Sequence, residues 1–284
     1  MSPSSLSPSR AADFMQCPLL YRFRVVDRVH ERPSPAAVRG TVVHAVLERL
    51  FDLPAADRTL DAARALVPSQ WQRVQQEDAR FGSLAPEELA DELWLTGAEE
   101  LLARWFRLED PSRLEPADRE LYVETTLDDG LVLRGFVDRL DVAPDGRLRI
   151  VDYKTGRAPG ERFEAKALFQ MKFYALVLWR LRGRLPDLLQ LVYLGSGEVL
   201  RYVPDEADLL ATERKVRALW DAIALAARTG DWQPSPGRRC SWCDHHALCP
   251  TKGGTPPPLP EDAERRVLGE ASEVPDRPWS DDEA

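Results

Sequence analysis

Two aspartates and a lysine near the middle of the chain have the types and spacing for metal-assisted chemistry on a phosphate. Asp138, Asp152 and Lys154 lie in LRGFVDRLDVAPDGRLRIVDYKTG, residues 133–156. β-Branched and aromatic residues alternate on both sides of Pro144-Asp145-Gly146, the pattern of a hairpin. A three-residue hairpin loop wants a type I turn and then a left-handed residue, usually Gly, and these three residues fit. Such a loop pairs Ala143 with Arg147, and counting back along both strands sets Asp138 opposite Asp152. Opposed residues share a face, with Cβ atoms about 5 Å apart. Two bare carboxylates so close repel each other, and a bound cation removes the conflict. Lys154, two residues beyond Asp152, points to the same face. Carboxylate oxygens suit Mg²⁺ or Mn²⁺. A lysine beside such an ion can position or deprotonate a water and stabilise charge on a phosphate. Two alternatives stand beside this reading. A two-residue Asp-Gly turn would put the aspartates on opposite faces, and an isolated D-x-K is ordinarily half of a surface ion pair.

Cysteine supplies a second constellation. Cys240, Cys243 and Cys249 fall in CSWCDHHALCP, and Cys17 lies far upstream in QCPLLYRFR. Four thiols of this spacing suggest metal ligation rather than disulfides in a reducing compartment. Sets of four thiolates serve both zinc and iron–sulfur clusters, and spacing alone leaves both open. His245 and His246 lie within the run and could replace a cysteine at a zinc site. The same segments are rich in cations: Arg22, Arg24, Arg28 and Arg32 follow Cys17, while Arg238, Arg239 and Lys252 flank the other cysteines. With Tyr21, Phe23 and Trp242 among them, these residues suit phosphate contact and base stacking on a single nucleic-acid strand. Arg139, beside Asp138, joins the candidate contacts.

The elements that must hold these groups read as follows. Ser7-Pro8 starts a helix reaching about Gln16, by a serine cap and a proline at the first position. A second helix runs from about Thr41 to Phe51, where Val43, Val46, Leu47 and Leu50 form an apolar stripe with His44 at its border. Residues 55–110 hold two or three helices. Glu120–Leu127, Leu131–Val142 and Arg147–Lys154 are strands, and Glu124 on the first could add a carboxylate near the metal. Pro159-Gly160 breaks the chain, Phe163–Arg182 is helical, Leu189–Leu194 and Glu198–Val203 are strands, and Asp205–Thr229 is a long helix ending at Gly230. The expected fold class is α/β, a mixed central sheet flanked by helices.

Net charge is −9 over 284 residues, which does not by itself suggest a nucleic-acid binder. Residues 261–284 hold nine acidic groups against three arginines, leaving the remainder close to neutral and able to carry a basic groove. After residue 252 the acidic and proline content predicts a disordered tail. No apolar run is long enough to span a bilayer, and no apolar signal core opens the sequence, so the expectation is cytoplasmic.

In this order, GFVDRLD and VDYKTG resemble the paired motifs of RecB-type PD-(D/E)XK nucleases. GTVVHAVLE at 40–48 resembles that family's histidine motif, and QMKFY at 170–174 its Gln-x-x-x-Tyr motif. The one-plus-three cysteine split resembles the four-iron, four-sulfur site of the AddB and CRISPR-associated types. Val137 departs from the proline that the motif name places before Asp138. The resemblance implies a restriction-endonuclease-like core and one nuclease domain over 1–251. Within it are a helical insertion at about 52–118, a catalytic core at about 119–204, and a cluster-binding segment at 232–251 that joins Cys17; residues 252–284 are the tail. It further implies that His44, Asp138, Asp152 and the Tyr153 carbonyl ligate Mg²⁺ or Mn²⁺. Lys154 is then the catalytic lysine, with Gln170 and Tyr174 near the DNA or supporting the site. Cys17, Cys240, Cys243 and Cys249 would hold a 4Fe-4S cluster, Zn²⁺ being the alternative. The implied activity is a DNA nuclease acting on single strands or ends in repair or recombination. No G-x-x-x-x-G-K-[ST] phosphate loop is present, so unwinding falls to a separate helicase. Two other functions remain open: a non-catalytic DNA-binding or scaffold module, and a CRISPR-adaptation-type nuclease.

Overall fold

The computed structural model describes residues 5–78, 80–81, 92–158, 160 and 164–269. Six strands form one mixed sheet. At its centre is β3 (Val132–Val142), flanked along one edge by antiparallel β2 (Asp118–Thr126). Its other edge is shared. β4 (Leu148–Lys154) pairs with Arg139–Val142, while the two-residue β1 (Ser5–Leu6) runs parallel beside Val132 and Leu133. Beyond β4 come parallel β5 (Leu188–Tyr193) and antiparallel β6 (Glu198–Tyr202).

Helices cover both faces, the arrangement that buries a sheet on two sides. On one face lie α1 (Pro8–Gln16), α6 (Glu164–Arg182) and α7 (Glu206–Thr229), packed over Leu133, Val137, Leu140, Ile150 and Leu191. The short α2 (Pro18–Tyr21) and a π-helical turn at Arg22–Val26 continue that layer. The other face carries α3 (Pro35–Leu50), α4 (Leu60–Glu77) and α5 (Glu92–Leu108) over Val151, Tyr153 and Val192. Local chemistry sets the helix ends. Ser7, Ser34, Thr59 and Asp205 each accept an amide hydrogen bond from the first turn, and Gly230 stops α7 at φ 72°.

The expected elements are present with shifted ends. α3 starts at Pro35 rather than Thr41, because Ser34 caps it with Pro35 at the first position. The residues expected as a disordered tail contain α8 (Ala263–Leu268), whose Ala263 and Val267 are buried and whose Arg266 donates to the Val26 carbonyl at 2.7 Å. That expectation is corrected as far as residue 269, and residues 270–284 lie outside the described residues. Pro159 and Phe163, the expected break and helix start, also lie outside them. None of the described helices is long and apolar enough to cross a membrane.

The glycine of GFVDRLD has a packing reason. A Cβ on Gly135 would fall 2.7 Å from Cε1 of Tyr174, so the bare backbone reserves the space that this ring fills. Gly135→Ala is expected to destabilise the chain by about 1–3 kcal/mol in urea unfolding. The loss should shrink in a Tyr174→Leu background, and equal losses in both backgrounds would refute the coupling.

Candidate active site

Two turns of the same build place three carboxylates. Ala143 and Arg147 close the β3–β4 loop with a 2.9 Å bond, and Gly146 takes φ 83°. Leu127 and Leu131 close the β2–β3 loop, Asp128-Asp129-Gly130, in the same way at 2.9 Å, with Gly130 at φ 86°. In each loop the central aspartate accepts from the amide two residues on. The β3–β4 register pairs Arg139 with Val151, so Asp138 and Asp152 come next. The β2–β3 register pairs Arg119 with Arg139 and Leu121 with Val137, which leaves Glu120 facing Asp138. Glu120, Asp138 and Asp152 therefore form one row across three strands.

Regular pairing is interrupted at that row. Glu120 sits at φ 45°, and no ladder pair is formed between it and Asp138. Val137 and Leu140 join the same core layer although three apart, while Arg139 lies against the opposite one. The β2–β3 register is the same on both sides of this row, so the pleat changes sense at Glu120 and Asp138 with no residue inserted. Where the next β3–β4 rung would form, the Tyr153 amide donates to Asp138 Oδ2 at 2.6 Å.

Helices on both faces complete the site. From α3, His44 Nδ1 stands 3.5 Å from Asp138 Oδ2 and 4.0 Å from Glu120 Oε1. One donor atom from each of His44, Glu120 and Asp138 lies within 4.8 Å of the others, so these three could hold a metal ion. From α6, Gln170 donates to Asp152 Oδ1 at 3.4 Å and to the Tyr174 hydroxyl at 3.3 Å, and accepts from Lys154 Nζ at 3.0 Å. Lys154 Nζ also forms a buried ion pair with Asp152, 3.0 Å from Oδ2. Burial pushes the Asp152 carboxyl up to about 7; Lys154 opposes the shift and the Asp138 charge adds to it. Burial likewise raises the Tyr174 phenol, and the Asp152 charge adds to that. This donor set fits a divalent cation, since carboxylates crowded out of water need positive charge.

Glu120 was not among the expected residues. The signal for it is the Asp128-Asp129-Gly130 loop, from which the same counting as at Pro144-Asp145-Gly146 leads to Glu120 facing Asp138. Glu124, the expected extra carboxylate, is exposed and accepts from the Tyr122 hydroxyl, so it is withdrawn.

The expected nucleic-acid contacts divide. Arg139 is 1% exposed, paired with Glu109 and Asp141, and cannot reach a ligand in solvent. Arg22 is buried against Asp27 and the Pro257 carbonyl. Arg24 is committed to Asp13 and Glu31, and Tyr21 and Phe23 are core residues. Arg239 donates to Gln16 at 2.7 Å. Arg238, Lys252 and Trp242 remain at the surface, Trp242 with 79% of its area exposed.

The four cysteines are half-buried free thiols gathered from both ends of the chain. Burial raises the Cys243 thiol, and the charges of Cys249, Cys17 and Cys240 add to the effect, as neighbours would. Backbone amides of Ser235 and Gly237 donate to Cys17 and Cys240, both at 3.3 Å. His245 is buried with Nε2 2.6 Å from Glu31 Oε1, and His246 Nε2 meets the Cys240 carbonyl. Both Nε2 atoms are thus engaged by oxygen atoms, a carboxylate and a carbonyl.

A family model for the PD-(D/E)XK nuclease superfamily matches residues 5–250. The gene 69 protein of Mycobacterium phage D29 is 26% identical over 272 residues, covering 86% of this chain and 96% of that protein. An ATP-dependent helicase/deoxyribonuclease chain from Streptococcus equi subsp. zooepidemicus is 32% identical over 165 residues, 54% of this chain but 14% of that protein. A solved candidate exonuclease from Eubacterium rectale superposes with a TM-score of 0.56 at 16% identity, covering 85% of this chain and 86% of that one, which supports the fold.

The raised Asp152 carboxyl makes a prediction about the metal-free chain. The folded state holds that proton more tightly than the unfolded state, so stability linked to Asp152 is present at acid pH and lost as pH rises toward 7. Relative to Asp152→Asn, the thermal midpoint of wild type with divalent cations removed should fall from about pH 5 to about pH 8. A pH-independent difference would contradict the assignment.

Proposed function

Because the chain belongs to the PD-(D/E)XK nuclease superfamily, we propose that it is a metal-dependent deoxyribonuclease that hydrolyses phosphodiester bonds of single strands or strand ends during DNA repair or recombination. The observation that carries this reading is the row of Glu120, Asp138 and Asp152, with His44 at one end and Lys154 at the other. His44, Glu120, Asp138, Asp152 and the Tyr153 carbonyl are the residues that would hold Mg²⁺ or Mn²⁺. Bound there, the cation would polarise the phosphate and lower the pKa of a water. Lys154 orients that water and offsets negative charge on the phosphate. Gln170 bonds Lys154 and Asp152 together, and Tyr174 fixes Gln170 from below. The Streptococcus relative's name, helicase/deoxyribonuclease, supports DNA as substrate and a separate helicase as partner.

The four thiols are the proposed ligands of a 4Fe-4S cluster. Amide bonds to Cys17 and Cys240 suit anionic sulfur. The cluster would tie α1 to the C-terminal segment, turning ligation energy into folding energy. At the surface, Trp242 would stack on an unpaired base beside Arg238 and Lys252.

Anaerobically prepared wild type should cut labelled DNA in Mg²⁺ or Mn²⁺. Lys154→Ala should lower turnover by about 100- to 1,000-fold while keeping DNA affinity. Equal rates for the two proteins would remove the enzymatic reading. Iron and acid-labile sulfide should both be found in the purified chain and be lost in Cys243→Ser; zinc alone in wild type would refute the cluster.

A further inference from the structure

Backbone pairing between β3 and β4 stops one residue short of Asp138 and Asp152, so ladder bonds do not fix how far apart these carboxylates stand. The next residue on each strand is held on the opposite face. Arg139 Nη1 donates to the Tyr153 hydroxyl, bridging the two strands just where the ladder ends. That guanidinium is itself anchored. Glu109, at the end of α5, grips it through two oxygens at 2.8 and 2.9 Å, and Asp141 Oδ1 lies 3.1 Å from Nε. Glu109 is in turn held by Trp105 Nε1 at 2.9 Å and Gln190 Nε2 at 3.1 Å.

The bridge reaches the site in two ways. The Tyr153 amide donates to Asp138, so fixing the tyrosine ring fixes the backbone that meets this carboxylate. The same ring meets the His44 ring edge-on, with centroids 6.1 Å apart. One buried arginine is thereby linked, through Tyr153, to a carboxylate of β3, the strand carrying Asp152, and the histidine of α3.

We propose that the Arg139–Tyr153 bridge, anchored by Glu109, is a positioning device that sets the spacing of Asp138, Asp152 and His44 and hence the cation affinity of the centre. This rests on the metal-centre reading above. Arg139, Tyr153 and Glu109 act through the ligands, in the manner of partners that orient a metal's ligands from behind.

The test is Mn²⁺ binding to the full chain, followed by electron paramagnetic resonance of the free ion. Tyr153→Phe keeps the ring and removes only the hydroxyl; Glu109→Gln keeps the shape and removes the charge. Each should bind Mn²⁺ about 10-fold more weakly than wild type. The metal concentration for half-maximal DNA cleavage should shift by the same factor in both, and in Glu109→Gln turnover at saturating metal stays near wild type. Val67→Ala, on α4 in the same helical layer, should lower the thermal midpoint without moving Mn²⁺ affinity. A wild type that binds Mn²⁺ beside folded variants that bind it equally well would overturn the positioning role alone. A wild type that takes up no Mn²⁺ would overturn the metal-centre reading and the bridge's role with it.

Discussion

Carboxylates gathered away from water repel one another, and the structure around Glu120, Asp138 and Asp152 is arranged to keep three of them in a row despite that repulsion. Two hairpin loops of matching build align the row. The left-handed backbone at Glu120 and the end of the β3–β4 ladder open the sheet there, so that side chains rather than rungs occupy the space. Positive or donor groups come from both faces: His44 from α3, Lys154 from β4 itself, and Gln170 from α6. Burial, with the Asp138 charge adding to it, keeps the Asp152 carboxyl raised despite Lys154. A polar cluster of this kind weakens the fold in which it sits, and sites that bind and react tolerate such cost because the same strain favours the incoming charge.

Much of this was legible in the residues, for a definite reason. Turn chemistry is local: Pro144-Asp145-Gly146 dictates a loop type, and the loop type dictates a register. Asp138, Asp152 and Lys154 follow by counting. Glu120 is equally countable from Asp128-Asp129-Gly130, yet Glu124 stood in its place among the expected residues, because both are acidic positions on one strand and only the register distinguishes them. Tyr174 and Gly135 show a different limit. Each is plain in the sequence, but that one fills the space the other vacates depends on how α6 crosses β3, which no local pattern encodes.

The arginines mark where residue type misleads. Arg22, Arg24 and Arg139 looked like phosphate contacts because arginine serves that purpose well. The fold instead pairs them with Asp27, with Asp13 and Glu31, and with Glu109. A different set of contacts closes the chain's ends. Gln16 with Arg239, Glu31 with His245, Arg22 with the Pro257 carbonyl and Val26 with Arg266 connect residues 16–31 to residues 239–266. Cations that would otherwise face solvent are used to fasten one terminus to the other, and α8 is ordered by the same closure.

The two matching loops carry a consequence of their own. Exposed hairpin tips ordinarily accept insertions and deletions at little cost. Here each tip acts as a counter for the row beneath it. Side chains alternate with a period of two, so a one-residue slip of the pairing would turn the acidic position on that strand to the far side of the sheet. The composition of the tips is therefore free to drift, apart from the left-handed glycines, while the closing pairs Leu127–Leu131 and Ala143–Arg147 are not: a change at a tip is tolerated where those pairs are kept.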